Sequence, residues 1–131
     1  MSQRAEPTDF ARLLIVDDEI GYLEVLAKRL TRRGYDVTTA SSGADGIRAL
    51  RRWEFEVAVL DLKLGDMDGI EVLKVFKKMD PALAVIMLTG HGSERAAREG
   101  ISEGAFDYLI KPVGLENLLK VIVAALHSDL A

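Results

Sequence analysis

The sequence contains no cysteine, so it can form neither a disulfide nor a thiolate metal site. No apolar run approaches the length that spans a bilayer, and the polar opening residues lack the pattern of a secretory signal. Lysine and arginine form no stripe, and the formal charge is −4, which argues against a nucleic-acid surface. We therefore expect a cytoplasmic protein that binds neither a membrane nor nucleic acid directly.

What the chain does have is enough apolar residue content for one buried core. Apolar residues make up 49% of the 131 residues and charged residues 29%, which is typical of a globular domain. We expect a flexible N-terminal tail over 1–10 and a single domain over 11–127. Residues 128–131 would be the C-terminal end or the start of a linker.

Five short apolar segments alternate with five segments of helical periodicity. The segment 55–61 is apolar on both faces and ends on Asp61, which indicates a central parallel strand covered by helices. The whole pattern predicts an α/β fold: a flavodoxin-like, doubly wound, five-stranded parallel sheet of order 2-1-3-4-5 with five helices. The more polar segment 35–40 is expected at the sheet edge.

The helical spacing also predicts which side chains face the core, and Asp18 could cap the first helix. The predicted inward residues of the first, second and fourth helices are Ile20, Leu23, Leu26, Ala27, Leu30, Ala44, Ile47, Leu50, Trp53, Ala97 and Ile101. Gly100 weakens the fourth helix, which we expect to be the most mobile.

Carboxylates follow two strands that the predicted order makes neighbours. Asp17 and Asp18 end the first strand and Asp61 ends the third, at the switch point where such sheets bind ligands. Taken singly, Asp18 could be a helix cap and Asp61 the first residue of a loop. Together, carboxylates about 4–6 Å apart repel and raise the pKa of at least one of them. A hard divalent cation removes that repulsion, and an all-oxygen donor set favours Mg²⁺.

Thr89 and Lys111 follow the fourth and fifth strands. Alone, they would be an ordinary turn residue and a solvated charge. At the same sheet edge, they add a hydroxyl and an ammonium beside a metal-bound carboxylate. That set of groups suits a phosphoryl group carried by Asp61.

Four segments in order carry a family resemblance. They are Leu-Ile-Val-Asp-Asp-Glu at 14–19, Leu-Asp-Leu at 60–62 with Met-Asp-Gly at 67–69, Leu-Thr-Gly at 88–90, and Gly-Ala-Phe-Asp-Tyr-Leu-Ile-Lys-Pro at 104–112. Over about 12–126 the chain resembles a receiver domain of the two-component response regulators, which are similar to the chemotaxis receiver in fold.

The resemblance implies a signalling receiver that catalyses only its own phosphorylation and dephosphorylation. Asp61 would accept a phosphoryl group from a histidine kinase or a histidine phosphotransfer protein. Mg²⁺, with Mn²⁺ as a substitute, would be ligated by Asp18, Asp61 and the backbone carbonyl of Lys63, with Asp17 acting through water.

The resemblance also assigns the switch. Thr89 and Lys111 would contact the phosphoryl oxygens, and Tyr108 would occupy the aromatic switch position. Their movement would remodel the face of the fourth helix, fifth strand and fifth helix, which controls an output domain or a downstream protein. A monomer or a weak, phosphorylation-dependent dimer is expected, and Gly21, Tyr22 and Val25 on the first helix are candidates for facing the kinase.

Four further positions bear on the chemistry by resemblance. Lys63 and His91 match positions that tune the lifetime of the phosphoryl group. The peptide bond before Pro112 is expected to be cis. Gly65 stands where many receivers have proline, so the loop after Asp61 should be less restrained.

Other functions remain open at this point. A phosphohydrolase of the haloacid-dehalogenase type would need an acid two residues after Asp61, where Lys63 stands. A flavin-binding module would place phosphate beside Asp17 and Asp18, which would repel it. A receiver-like interaction domain that never uses phosphate is the third alternative, and a response to acetyl phosphate or beryllofluoride with Mg²⁺ would distinguish it.

Overall fold

The computed structural model describes residues 11–90 and 93–128. Within those ranges, five strands and five helices alternate along the chain. Their bounds are β1 (Arg12–Val16), α1 (Ile20–Arg32), β2 (Asp36–Ala40), α2 (Gly43–Arg52), β3 (Val57–Asp61), α3 (Gly69–Met79), β4 (Ala84–Thr89), α4 (Glu94–Ser102), β5 (Asp107–Ile110) and α5 (Leu115–His127).

The strands form one parallel sheet in the order β2-β1-β3-β4-β5, which confirms the predicted fold and places β2 at the edge. β3 is buried along its whole length because β1 and β4 flank it and helices cover both faces. In the register, Val16 lies beside Leu60, and Asp61 lies beside Leu88. The carboxyl ends of β1 and β3 therefore lie side by side at the same end of the sheet.

The sheet separates two apolar clusters, because successive side chains of a strand point to opposite faces. On one face, α2, α3 and α4 cover the first cluster, which includes Leu14, Leu60 and Phe76. On the other face, α1 and α5 cover the second cluster, which includes Ile15, Val59 and Ile122. Packing on both faces holds the strand ends, and thus the polar residues that follow them, in fixed positions.

Several inward-facing predictions are wrong. Ile20 is 57% exposed, Trp53 43% and Ile101 42%, and Ala44 is exposed as well. Ile20 stands in the first turn of α1, and Trp53 is already the C-cap of α2. The contact faces of α2 and α4 are instead made of small residues, namely Gly43, Gly46, Ala49, Ala97 and Gly100, together with Leu50.

The helix cap predicted at Asp18 is also wrong. Glu19 is the N-cap residue of α1, and its side chain makes no capping hydrogen bond. Ser42 does cap α2, since its hydroxyl accepts from the N–H of Asp45 at 3.0 Å. Asp18 is thereby left exposed at the sheet edge, with its carboxylate available to a ligand.

Gly100 has a packing role that helix propensity alone does not indicate. A β-carbon built at Gly100 would overlap the sulfur and terminal methyl of Met87 on β4. The glycine therefore lets α4 approach the sheet closely. Among residues 11–90 and 93–128, no helix has the length and apolar character needed to cross a bilayer.

An acidic site at the carboxyl ends of the strands

Three carboxylates converge where β1 and β3 end. Asp17, Asp18 and Asp61 each offer an oxygen atom, and these atoms all lie within 4.8 Å of one another. Asp17 is 1% exposed and Asp61 6% exposed, whereas Asp18 faces solvent. The predicted cluster is thus assembled, with two buried members and one that is open to solvent.

Local hydrogen bonds hold the two buried carboxylates in place. Oδ1 of Asp17 accepts from the N–H of Glu19 at 2.9 Å, and Oδ1 of Asp61 accepts from the N–H of Lys63 at 3.1 Å. Both contacts close a short turn directly after a strand, as Asp side chains commonly do. The second oxygen of each carboxylate remains directed at the shared site.

Lys111 supplies the positive charge of the site. Its Nζ donates to Oδ2 of Asp17 at 3.0 Å, to Oδ2 of Asp61 at 3.1 Å and to Oε1 of Glu19 at 3.4 Å. The backbone N–H of Lys111 donates to the carbonyl of Thr89 at 2.7 Å, which joins the ends of β5 and β4. The Lys111–Pro112 peptide bond is cis.

The pKa values of the site reflect burial and charge together. Burial raises the pKa of Asp61, and the charge of Asp17 adds to this, while the Lys63 N–H and Lys111 oppose it. Burial alone would lower the pKa of Lys111, but its hydrogen bonds to Asp17 and Asp61 outweigh that effect and raise it above the ordinary 10.5. Lys111 is therefore a cation at neutral pH, held by carboxylates.

The remaining predicted residues lie around this centre. Thr89 is buried at the end of β4, and Ile110 is its partner in the register of β5. Tyr108 is partly buried and packs against the cluster beneath α2, α3 and α4. His91 lies outside the described residues.

The donor set fits a hard divalent cation. The three clustered side chains offer only carboxylate oxygens, and these are the ligands that Mg²⁺ prefers. A β-carbon at Gly65 would lie 3.6 Å from Oδ2 of Asp18, so the loop that contains Lys63 and Gly65 passes close to the exposed carboxylate. The carbonyl of Lys63 belongs to the same loop.

Asp66 makes a contact with the start of α2 that the sequence did not predict. Its carboxylate lies in the loop between β3 and α3 and accepts the N–H groups of Gly43 at 2.9 Å and Ala44 at 3.0 Å. These hydrogen bonds lower the pKa of Asp66. The partners are 22 and 23 residues away in sequence, so no local motif could indicate that the loop is attached to α2.

The comparisons with known proteins agree with this geometry. A family model described as "Response regulator receiver domain" matches residues 13–123. The chain belongs to the family of response regulator receiver domains. It is therefore a signalling domain of two-component systems rather than a metabolic enzyme. Receiver domains of this family work with histidine kinases and output domains.

Individual relatives are more specific. Transcriptional regulatory protein GlrR of Escherichia coli (strain K12) is 42% identical over 119 residues, which cover 91% of this chain and 27% of that protein. The chain thus spans about a quarter of the length of that relative. A response regulator receiver domain protein from Clostridium thermocellum superposes with a TM-score of 0.87 at 36% identity, covering 91% of this chain and 96% of that one. NtrX from Brucella abortus superposes with a TM-score of 0.86 at 31% identity, and the match covers 92% of this chain and 28% of that one.

Proposed function

We propose that this chain is a phosphorylation-dependent switch in which Asp61 accepts a phosphoryl group from a histidine kinase or a histidine phosphotransfer protein. The observation that carries the proposal is the position of Asp61. It is nearly buried, it lies within 4.8 Å of two further carboxylates, and its Oδ2 is 3.1 Å from the ammonium of Lys111. A carboxylate in that setting has both a reactive oxygen and a cation to receive new negative charge.

Mg²⁺, or Mn²⁺ in its place, would be held by Asp18, Asp61 and the carbonyl of Lys63, with Asp17 acting through water. When bound, the cation offsets the negative charge of the carboxylates and of the incoming phosphoryl group. Asp18 is the exposed member of the cluster, so it provides the entry point. The backbone N–H of Lys63 donates a hydrogen bond to Asp61, and this bond keeps the backbone of Lys63 beside the acceptor carboxylate.

In the transfer, one Oδ atom of Asp61 forms a bond to phosphorus while the bond between phosphorus and the donor's imidazole nitrogen breaks. The electron pair of that bond returns to the imidazole nitrogen. Lys111 and the hydroxyl of Thr89 meet the phosphoryl oxygens, which are strong hydrogen-bond acceptors. Water later attacks the phosphorus, the bond between phosphorus and the Asp61 oxygen breaks, and inorganic phosphate leaves as the carboxylate is restored. Lys63 and His91 tune how fast this occurs.

The switch follows from the connection between Thr89 and β5. The carbonyl of Thr89 accepts the backbone N–H of Lys111, and Tyr108 lies on β5, three residues before Lys111, which directly follows that strand. Movement of Thr89 and Lys111 toward a phosphoryl group would shift Tyr108 and remodel the face of α4, β5 and α5. Coupling of about 1–3 kcal/mol is enough for a graded switch.

The output would act through a partner protein or through a domain that follows a linker starting near residue 128. Residues 11–127 would be the receiver unit, active as a monomer or as a weak dimer that forms on phosphorylation. The relative GlrR is a transcriptional regulatory protein, which supports an output of that kind in a longer chain.

The test is incubation of the purified chain with acetyl phosphate and Mg²⁺, followed by mass spectrometry of the intact protein. We expect the gain of one phosphoryl group, sensitive to chelator and to hydroxylamine, and its loss in Asp61→Asn. Asp36→Asn is the matched control. Asp36 is the first residue of β2, at the amino ends of the strands and so away from the acidic site, and it pairs with Arg12. Modification of Asp61→Asn at the rate of the unsubstituted chain would refute the assignment.

A further inference from the structure

The ammonium of Lys111 has a fourth neighbour besides its three carboxylates. Nζ of Lys111 lies 4.9 Å from the centroid of the Tyr22 ring. Tyr22 stands in the first turn of α1, and its side chain is partly buried. The ring therefore lies beside the strand ends that carry the acidic site.

We propose that Tyr22 is a positioning residue for Lys111, and that the face of its ring keeps the ammonium directed at Asp61. The proposal rests on the proposed function, since it assigns Tyr22 a part in the same phosphoryl transfer. A cation within about 6 Å of an aromatic centroid is attracted by the negative face of the ring. The contact is thus an additional, non-covalent constraint on the amine that meets the phosphoryl group.

The geometry shows why the amine needs such a constraint. Lysine carries its charge at the end of a flexible four-carbon stem, and its three donors rotate freely. Of its three carboxylate partners, Glu19 is exposed and is the most distant, at 3.4 Å. Asp61 changes chemically when it is phosphorylated, so its contact with Lys111 must rearrange. The Tyr22 ring does not change in that step.

The ring itself is held by apolar contacts. Tyr22 packs against the cluster beneath α1 and α5, and it shares a small cavity with Val113 and Leu115 from the segment that follows Lys111. The same short segment therefore supplies the amine and part of the packing around the ring. This arrangement lets a side chain of α1 restrict the amine in addition to the carboxylates.

The experiment compares Tyr22→Phe, which keeps the ring, with Tyr22→Leu, which keeps apolar volume but removes it. With acetyl phosphate and Mg²⁺, we expect Tyr22→Phe to be phosphorylated at the rate of the unsubstituted chain. We expect Tyr22→Leu to be slower by roughly two- to fivefold, the loss of one exposed cation–π contact. Equal rates for the unsubstituted chain and Tyr22→Leu, or equal losses in both variants, would overturn the proposal.

A second measurement does not depend on phosphorylation. The ring current of Tyr22 should shift the NMR signals of the Lys111 Hε protons upfield in the resting protein. That shift should persist in Tyr22→Phe and disappear in Tyr22→Leu. If the unsubstituted chain is never modified by acetyl phosphate, the proposed function fails, while this spectrum still decides whether Tyr22 positions the amine.

A double substitution separates positioning from general stability. In a Lys111→Met background, Tyr22→Leu should cause no further loss of the phosphorylation rate, because the ammonium is already gone. A second loss of the same size in that background would show that Tyr22 acts through the fold, and would overturn the proposal.

Discussion

Replacing Lys111 with methionine tests how the acidic site is stabilised. The variant keeps a long apolar side chain but removes the ammonium that bonds to Asp17 and Asp61 at 3.0 and 3.1 Å. Both carboxylates are almost inaccessible to solvent, and removing one partner of a buried pair costs about 3–5 kcal/mol. Because the side chain of Lys111 is itself 22% exposed, we expect a loss of about 3 kcal/mol or less in chelator.

Added Mg²⁺ should reverse much of that loss. Saturation to 100 times the dissociation constant stabilises a folded protein by about 2.7 kcal/mol. At one common Mg²⁺ concentration, the gain in Lys111→Met should exceed the gain in the unsubstituted chain by about 1 kcal/mol or more, because one more uncompensated negative charge near the cation tightens its binding. Urea unfolding at pH 7, with chelator or with Mg²⁺, measures both quantities.

The pH dependence of the same variant has a definite sign. Burial raises the pKa of Asp61, so its charged form is disfavoured in the folded state and stability falls as pH rises through that pKa. The deficit of Lys111→Met should therefore shrink on acidification from pH 7 toward the ordinary carboxyl pKa of 3.8. Lys120→Met, on the exposed face of α5, is the matched control and should change stability by less than about 0.5 kcal/mol. Equal stability in chelator, or an equal or smaller Mg²⁺ gain in Lys111→Met, would refute the reasoning.

Three further predictions concern other contacts. Asp61→Asn should raise the midpoint of urea unfolding in chelator at pH 7, because it removes a charge that burial penalises; a lower midpoint would contradict this. Gly100→Ala should lower the free energy of unfolding by about 1–3 kcal/mol, because the new β-carbon overlaps Met87. Gly21→Ala is the control: its β-carbon meets nothing within 4 Å, so the free energy of unfolding should rise by about 0.5–1 kcal/mol. Asp66→Asn should lower the thermal midpoint of unfolding at neutral pH. The difference from the unsubstituted chain should shrink as pH falls below the ordinary carboxyl pKa of 3.8, because a lowered pKa stabilises the folded state only while the carboxyl is charged. An unchanged thermal midpoint would show that the attachment to α2 adds no stability.

Sequence reasoning succeeded where the signal is local. The strand order and the meeting of Asp17, Asp18 and Asp61 follow from short apolar segments that end on polar residues. The parallel topology then brings those ends together without any knowledge of side-chain packing. The ends of β4 and β5, with Thr89 and Lys111, follow from the same rule.

It failed where packing or distant contacts decide. Ile20 and Ile101 have the helical spacing of core residues, yet both side chains remain exposed to solvent. Gly100 weakens an isolated helix, yet the fold uses it for close approach to Met87. The attachment of Asp66 to α2 joins residues more than twenty positions apart in sequence. The contact between Tyr22 and Lys111 joins the first helix to the residue after the last strand.

The alternation of β5 has a wider consequence. Tyr108 contributes to the packing beneath α2, α3 and α4, whereas its neighbour Leu109 contributes to the packing beneath α1 and α5. One short strand beside the reactive centre thus has a separate mechanical connection to each half of the molecule. A displacement of β5 would therefore reach the packing on both faces of the sheet, through Tyr108 on one face and through Leu109 on the other.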